Sequence, residues 1–150
     1  SYINKADGSR DIKAIELDWS FADQLYFVHL NKKMDSKRGI KHYREQGLPD
    51  ESSLRRLKEL NDQFITASSK TSFDQLLNEH EALIASVINQ QPVKDKLFSD
   101  FSLGATKSLG AWGGDFILAT GDVRLPDYFK NRGYSTVIPF SDMVIKKPQN

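Results

Sequence analysis

The chain has 150 residues, 39% of them hydrophobic and 11% aromatic, the commonest size for one domain and enough apolar material for one core. Its 21 basic and 20 acidic residues nearly cancel, so no global field favours nucleic acid or an anionic membrane as the main partner. Cysteine is absent, which excludes disulfide frameworks, cysteine metal sites and thiol nucleophiles, and fits a reducing cytoplasm.

No apolar run approaches the roughly 18 residues that a membrane helix requires, so a soluble protein is expected. Ser1 is not an initiator methionine, and the absence of a signal peptide at this end says little about a parent protein. The run AIELDW alternates Ile15, Leu17 and Trp19 and predicts a first strand; LYFVHL, Leu25 to Leu30, predicts a second, with Ser20 to Gln24 between them. Asp35 and Ser36 can cap a helix through Gln46 with Ile40 and Tyr43 as its apolar stripe, ended by Gly47 and Pro49. A second helix is predicted from Asp50 to about Ser68, where Leu54, Leu57, Phe64 and Ile65 recur at helical spacing. The third has the strongest signal: Ser72-Phe-Asp-Gln75 matches a capping box, and Phe73, Leu76, Leu77, His80, Leu83, Ile84, Val87 and Ile88 mark one face. Pro92 ends it and opens a shorter helix bearing Val93, Leu97 and Phe101.

Beyond Gly104 the periodicity changes, and TKSLGA and FILAT predict a β-hairpin around a glycine loop. Pro126 starts a short helix, Gly133 stops it in a left-handed cap, STVIPF forms a last strand, and KKPQN is a polar tail. Strands at both ends with helices between them predict one α+β domain over residues 1–150.

Four constellations could carry chemistry, and each has a plainer reading. Gly113 and Gly114 can turn backbone N–H groups toward an anion, or form only a hairpin turn. The loop fits neither the P-loop nor the dinucleotide pattern. In NKKMDSKRGIKHYR, Lys32, Lys33, Lys37, Arg38, Lys41 and Arg44 could meet phosphate or RNA backbone, or form the solvated face of a thin amphipathic helix. His80, on the apolar stripe of the third helix, reads as a core-edge histidine or as a base; no pattern of His and acid supports a metal site. Asp115, at the loop's end, could hold a ligand or cap the turn, and Ser108 lacks a nucleophile-elbow frame.

KSLGAWGGDFILA resembles the third motif of the GHMP kinases, the galactokinase, homoserine, mevalonate and phosphomevalonate kinase superfamily. Lys107, Gly110, Ala111, Gly113 and Gly114 fall on its K-x-T-G-A-G-G-G-G pattern, whereas Ser108, Leu109, Trp112, Asp115 and Phe116 depart from it. Those departures, with LYFVHLNKK and YFKNRGYSTVIPFSDMV, are similar to a bacterial subfamily called GYDIA, over roughly Leu25 to Val144. The resemblance implies the C-terminal lobe of a two-lobed kinase, a ferredoxin-like antiparallel sheet with additional helices. It implies that the N-terminal lobe, which supplies the P-x-x-x-G-L-x-S-S motif and the catalytic acid, lies outside this sequence. ATP and Mg²⁺ would be the full-length enzyme's cofactors and a small metabolite its acceptor, with mevalonate or phosphomevalonate favoured over sugars. Lys107, Ser108, Gly110, Ala111, Trp112, Gly113, Gly114 and Asp115 would then shape a substrate and phosphate site, with no catalytic residue on this chain. The expected partners are the missing lobe and a second copy of the fragment, not nucleic acid or membrane. The alternative is a stand-alone ferredoxin-like module that binds a ligand or RNA.

Overall fold

The computed structural model describes residues 2–4, 8, 10–12, 15, 17–33, 36–45, 49–110 and 115–144. Along the chain these form β1 (Tyr2–Asn4), β2 (Arg10–Ile12), β3 (Leu25–His29), α1 (Ser36–Glu45), α2 (Glu51–Ile65), α3 (Lys70–Val87), α4 (Val93–Leu97), β4 (Thr106–Ser108), β5 (Phe116–Thr120), α5 (Leu125–Lys130), β6 (Val137–Pro139) and α6 (Phe140–Met143). The class is α+β. β1 and β2 pair only with each other, and the remaining strands make a four-stranded antiparallel sheet in the order β4-β5-β3-β6.

β3 is central, with Phe27 opposite Leu118 on one side and Ile138 on the other. Its near-continuous apolar sequence follows from burial on both faces. Val28 lies opposite Ile117, and Tyr26 opposite Ala119; this face packs on Phe98, Phe101, Leu125 and Phe129. Leu25 and Phe27 alternate to the other face, where Leu25, Ala105 and Leu118 meet Phe21, Phe73 and Leu77. Trp19 extends this second cluster edge-on to Phe73, and its indole N–H donates to the Phe64 carbonyl at 3.1 Å.

Several expectations are corrected. Ile15 and Leu17 to Trp19 are not strand: β5 and β6 occupy both edges of β3, the strand this run precedes, and Trp19 instead packs on Phe73; Ala14 and Glu16 lie outside the described residues. β1, β2 and α6 have no counterpart in the sequence reading. α3 starts a turn before the Ser72 capping box: Ser69, in an extended conformation, accepts from the Ser72 N–H at 3.2 Å. The added turn carries Lys70, whose amine reaches Asp74 at 2.6 Å and the Leu103 carbonyl at 3.3 Å. On α2 the buried residue is Leu60, while Leu54 is 51% exposed, so the apolar stripe runs Leu57, Leu60, Phe64. Pro92 is the residue before α4 rather than its first, Leu97 faces solvent, and Phe101 is buried beyond the helix end. Pro126 falls second in α5, and Gly133 takes the left-handed cap expected of it, at φ +87°. The Asp35 cap, the Gln46-Gly47 helix end and the KKPQN tail lie outside the described residues.

Candidate functional site

The predicted hairpin is present, with Thr106 opposite Ala119 and Ser108 opposite Ile117. Its loop leaves the sheet after β4 at the end where β3 also finishes. The Leu109 N–H donates to the Phe116 carbonyl at 3.0 Å, and the Leu30 N–H donates to the Asp115 carbonyl at 2.8 Å. Gly110 has φ +67° with open space around its missing Cβ, so the loop's first described glycine uses backbone freedom that a β-branched residue lacks. Ala111, Trp112, Gly113 and Gly114 lie outside the described residues.

Lys107 and Ser108 leave β4 in opposite directions. Ser108 is buried and lines a cleft of about 400 Å³. Lys107 turns to the face shared with α3, its amine 3.3 Å from the Ser108 carbonyl and 4.0 Å from the Glu81 carboxylate. Burial pulls its amine below the usual lysine range, partly offset by the Glu81 charge. His80 sits beside it with Nδ1 buried and unpartnered among the described residues, its ring 5.9 Å from that of Phe64. Burial first, and then the Lys107 charge, push the imidazole down to about 4, so His80 is neutral at pH 7.

Glu81 is the organising residue that the sequence reading did not single out. It is 2% exposed and joins three segments: its carboxylate accepts from the Ser108 hydroxyl at 2.9 Å, the Ser108 N–H at 3.0 Å and the Val93 N–H at 3.2 Å. β4 is an edge strand, and the Ser108 N–H points away from β5, so Glu81 satisfies a donor that the ladder leaves unpaired. The signal was available, because Leu77, Glu81 and Ala85 fall at four-residue spacing, an acid within an apolar stripe.

The cleft next to Ser108 is walled by three separate segments: Leu30 to Lys32 after β3, Gln90 to Leu97 around α4, and Arg132 and Tyr134 after α5. Asn31 takes a left-handed backbone at φ 55°, and its side-chain amide donates to the Gly133 carbonyl at 2.9 Å, pinning two walls together. Asn89, also left-handed at φ 50°, turns the chain out of α3, and the Gln90 N–H closes that turn on the Ala85 carbonyl at 2.9 Å. Leu30, Val93, Leu97 and Tyr134 give the cleft an apolar floor, and Lys32, Lys96 and Arg132 bring three cations to it. Among the described residues no carboxylate lines it. Arg132 stacks on the Tyr128 ring at 3.7 Å and pairs with Asp100, which also accepts from the Tyr128 hydroxyl at 2.7 Å. Burial and the bond to Asp100 push that phenol up to about 12.

No family model, curated protein or solved structure matches this chain.

Ser108 thus lines the cleft, and the Asp115 carbonyl at the loop's end is tied to Leu30, which lines it too, whereas Lys107 does not line it. The basic cluster divides. Lys32 joins the cleft, while Lys41 lies on α1 in an exposed pair with Glu45 at 3.9 Å; the side chains of Arg38 and His42 lie outside the described residues. Among the described residues no three His, Asp or Glu side chains come together to hold a metal ion, and no helix is long and apolar enough to cross a membrane.

Proposed function

We propose that the chain is the C-terminal lobe of an ATP-dependent small-molecule kinase of the GHMP type, with its glycine loop facing the cleft between two lobes. The observation that carries this reading is where the two ends of the loop lie. KSLGAWGGDFILA spans β4, the loop and β5, and the loop's end is tied to Leu30 beside a cation-lined cleft. The strand order supports a ferredoxin-like lobe: β3, β4, β5 and β6 follow a β-α-β-β-α-β course, with α1 to α4 as the enlarged first crossover and α5 as the second. In this reading ATP, carried with Mg²⁺ by the N-terminal lobe, supplies the phosphoryl group. The residues of this chain bind, orient and exclude water, and positioning and charge neutralisation provide most of the rate. Mevalonate or phosphomevalonate is the favoured acceptor by sequence similarity.

The test is an ADP-release assay on the isolated chain and on the protein made from its whole reading frame, with mevalonate, phosphomevalonate, homoserine and galactose. We expect no turnover from the isolated chain, substrate-dependent turnover from the whole protein, and at least about a tenfold loss in Gly113→Val, since a barrier change near 1.4 kcal/mol is enough for that. Turnover by the isolated chain, or unchanged kinetics in the variant, would sink the reading. The second reading, a stand-alone ligand-binding module, is favoured by one observation: Lys32, Lys96 and Arg132 line a cleft with an apolar floor, and none of the three belongs to the β4–β5 hairpin. Salt dependence separates an RNA-binding version of it, because RNA affinity should fall steeply as salt rises.

A further inference from the structure

We infer that the cleft bounded by Lys32, Lys96 and Arg132 is a binding site for a small organic phosphate, a phosphomonoester with an apolar body. This site does not depend on the kinase reading, because its cationic residues lie outside the glycine loop and all of them belong to this chain. Three cations reach one concavity from segments far apart in sequence, and among the described residues no acid lines it. Asp100 offsets the charge of Arg132, but Lys32 and Lys96 have no ion-pair partner among the described residues, so the cleft keeps an excess of positive charge that a phosphate dianion would balance. The ordinary alternative, lysines pointing into water from one helix face, does not produce a convergence of three segments.

The walls are also fixed before any ligand arrives. Asn31 holds the Gly133 turn, and the His29 N–H donates to the Thr136 carbonyl at 3.0 Å behind it. Arg132 is clamped by Asp100 and by stacking on Tyr128. One guanidinium N–H goes to Asp100 and another to the Tyr128 carbonyl at 3.3 Å, which leaves others for a ligand oxygen among the five that arginine carries. Such a fixed, planar donor suits phosphate better than a free lysine does. Leu30, Val93 and Tyr134 supply apolar contact below the cations, and about 400 Å³ falls within the size range of small-ligand pockets. Charge and floor together select an organic phosphate over the bare ion.

The experiment titrates the isolated chain with n-butyl phosphate, inorganic phosphate and butyrate by calorimetry. We expect saturable binding of butyl phosphate, at least about fourfold tighter than inorganic phosphate, the increment of one buried methylene. Butyrate, with half the charge, should bind at least about tenfold more weakly than butyl phosphate. Arg132→Gln and, independently, Lys96→Gln should each weaken butyl phosphate at least about tenfold, while Lys58→Gln on the exposed side of α2 leaves it unchanged. Lys96 is exposed and has no ion-pair partner among the described residues, so its variant tests charge without disturbing the Asp100 clamp. No saturable binding, equal binding of all three probes, or equal losses in Lys96→Gln and Lys58→Gln would overturn the site. Absent binding here leaves the ADP-release test of the kinase reading standing, and absent turnover there leaves this one standing.

Discussion

Glu81 accepts bonds from both sides of the junction between α3, α4 and β4, so its removal should cost more than a lost side chain. Glu81→Ala strands the buried Ser108 and Val93 N–H groups, each penalised by about 1 to 3 kcal/mol, and should destabilise the protein by about 3 kcal/mol in denaturant unfolding. Glu81→Gln keeps the shape and one acceptor oxygen and should lose less than half of that. Equal losses in the two variants would mean that packing, not hydrogen bonding, is what Glu81 supplies. His80 gives a pH signature at the neighbouring position. Its folded value is about 4, against about 6.5 when unfolded, so the unfolded chain takes up the proton first as pH falls. The stability that His80 contributes is fully present above about pH 6.5 and is lost progressively down to about 4. Asp50 and Asp122, held down to about 2 by their Ser52 and Arg124 hydrogen bonds, lose theirs at lower pH. The urea midpoint should therefore fall between pH 6.5 and 4, and His80→Gln should flatten that window while leaving the acid limb below it. An unchanged slope in the variant would assign the proton uptake to another group.

At the scale of elements, what the sequence reveals depends on whether a signal is local. The β4–β5 hairpin, α3 and the left-handed Gly133 were legible because alternation, periodicity and a glycine after a helix are read from neighbouring residues. The course of β3 was legible for the same reason. What failed depended on distant partners. AIELDW alternates like a strand, yet both edges of β3 are filled by segments roughly a hundred residues on, and no local pattern reports that. Ser69 displaced Ser72 as a cap because both have the right chemistry, and the choice was made by Lys70, whose amine ties the extra turn to Asp74 and Leu103. Gly104 shows the same dependence. The sequence marks only the change of periodicity beyond it, whereas a Cβ there would clash with the Thr120 carbonyl oxygen, so only glycine lets the chain enter β4 against the end of β5. The cleft followed this division: of its lining residues the sequence singled out Ser108 and Lys32, while Lys96 and Arg132 join them only through the tertiary fold.

At the scale of the whole molecule, a second lobe would have to cover part of this surface, and uncovering it should have a measurable effect. Interfaces between domains of one chain bury about 600 to 1,500 Å², enough for weak pairing between fragments once exposed. Among the described residues, exposed apolar side chains stand at several places: Leu17 ahead of β3, Ile40 and Tyr43 on α1, Leu54 and Ile65 on α2, Leu97 on α4, Val123 before α5, and Met143 and Val144 at the end of α6. Of these, Leu97 lines the cleft together with Ser108, at the start of the loop that the kinase reading turns toward its partner, and Trp112, between Ser108 and Asp115 in sequence, adds the largest apolar side chain that the loop carries. The isolated chain is therefore expected to self-associate weakly through this end of the sheet. Sedimentation at rising concentration should show it, and Trp112→Ser and Leu97→Ser should each shift the equilibrium toward monomer, whereas Leu54→Ser on α2 should not. If Leu54→Ser alone gives monomer, the exposed face is that of α2 and the second lobe belongs there. A chain that stays monomeric at high micromolar concentration removes the case for a missing lobe on the glycine-loop end and favours the stand-alone module.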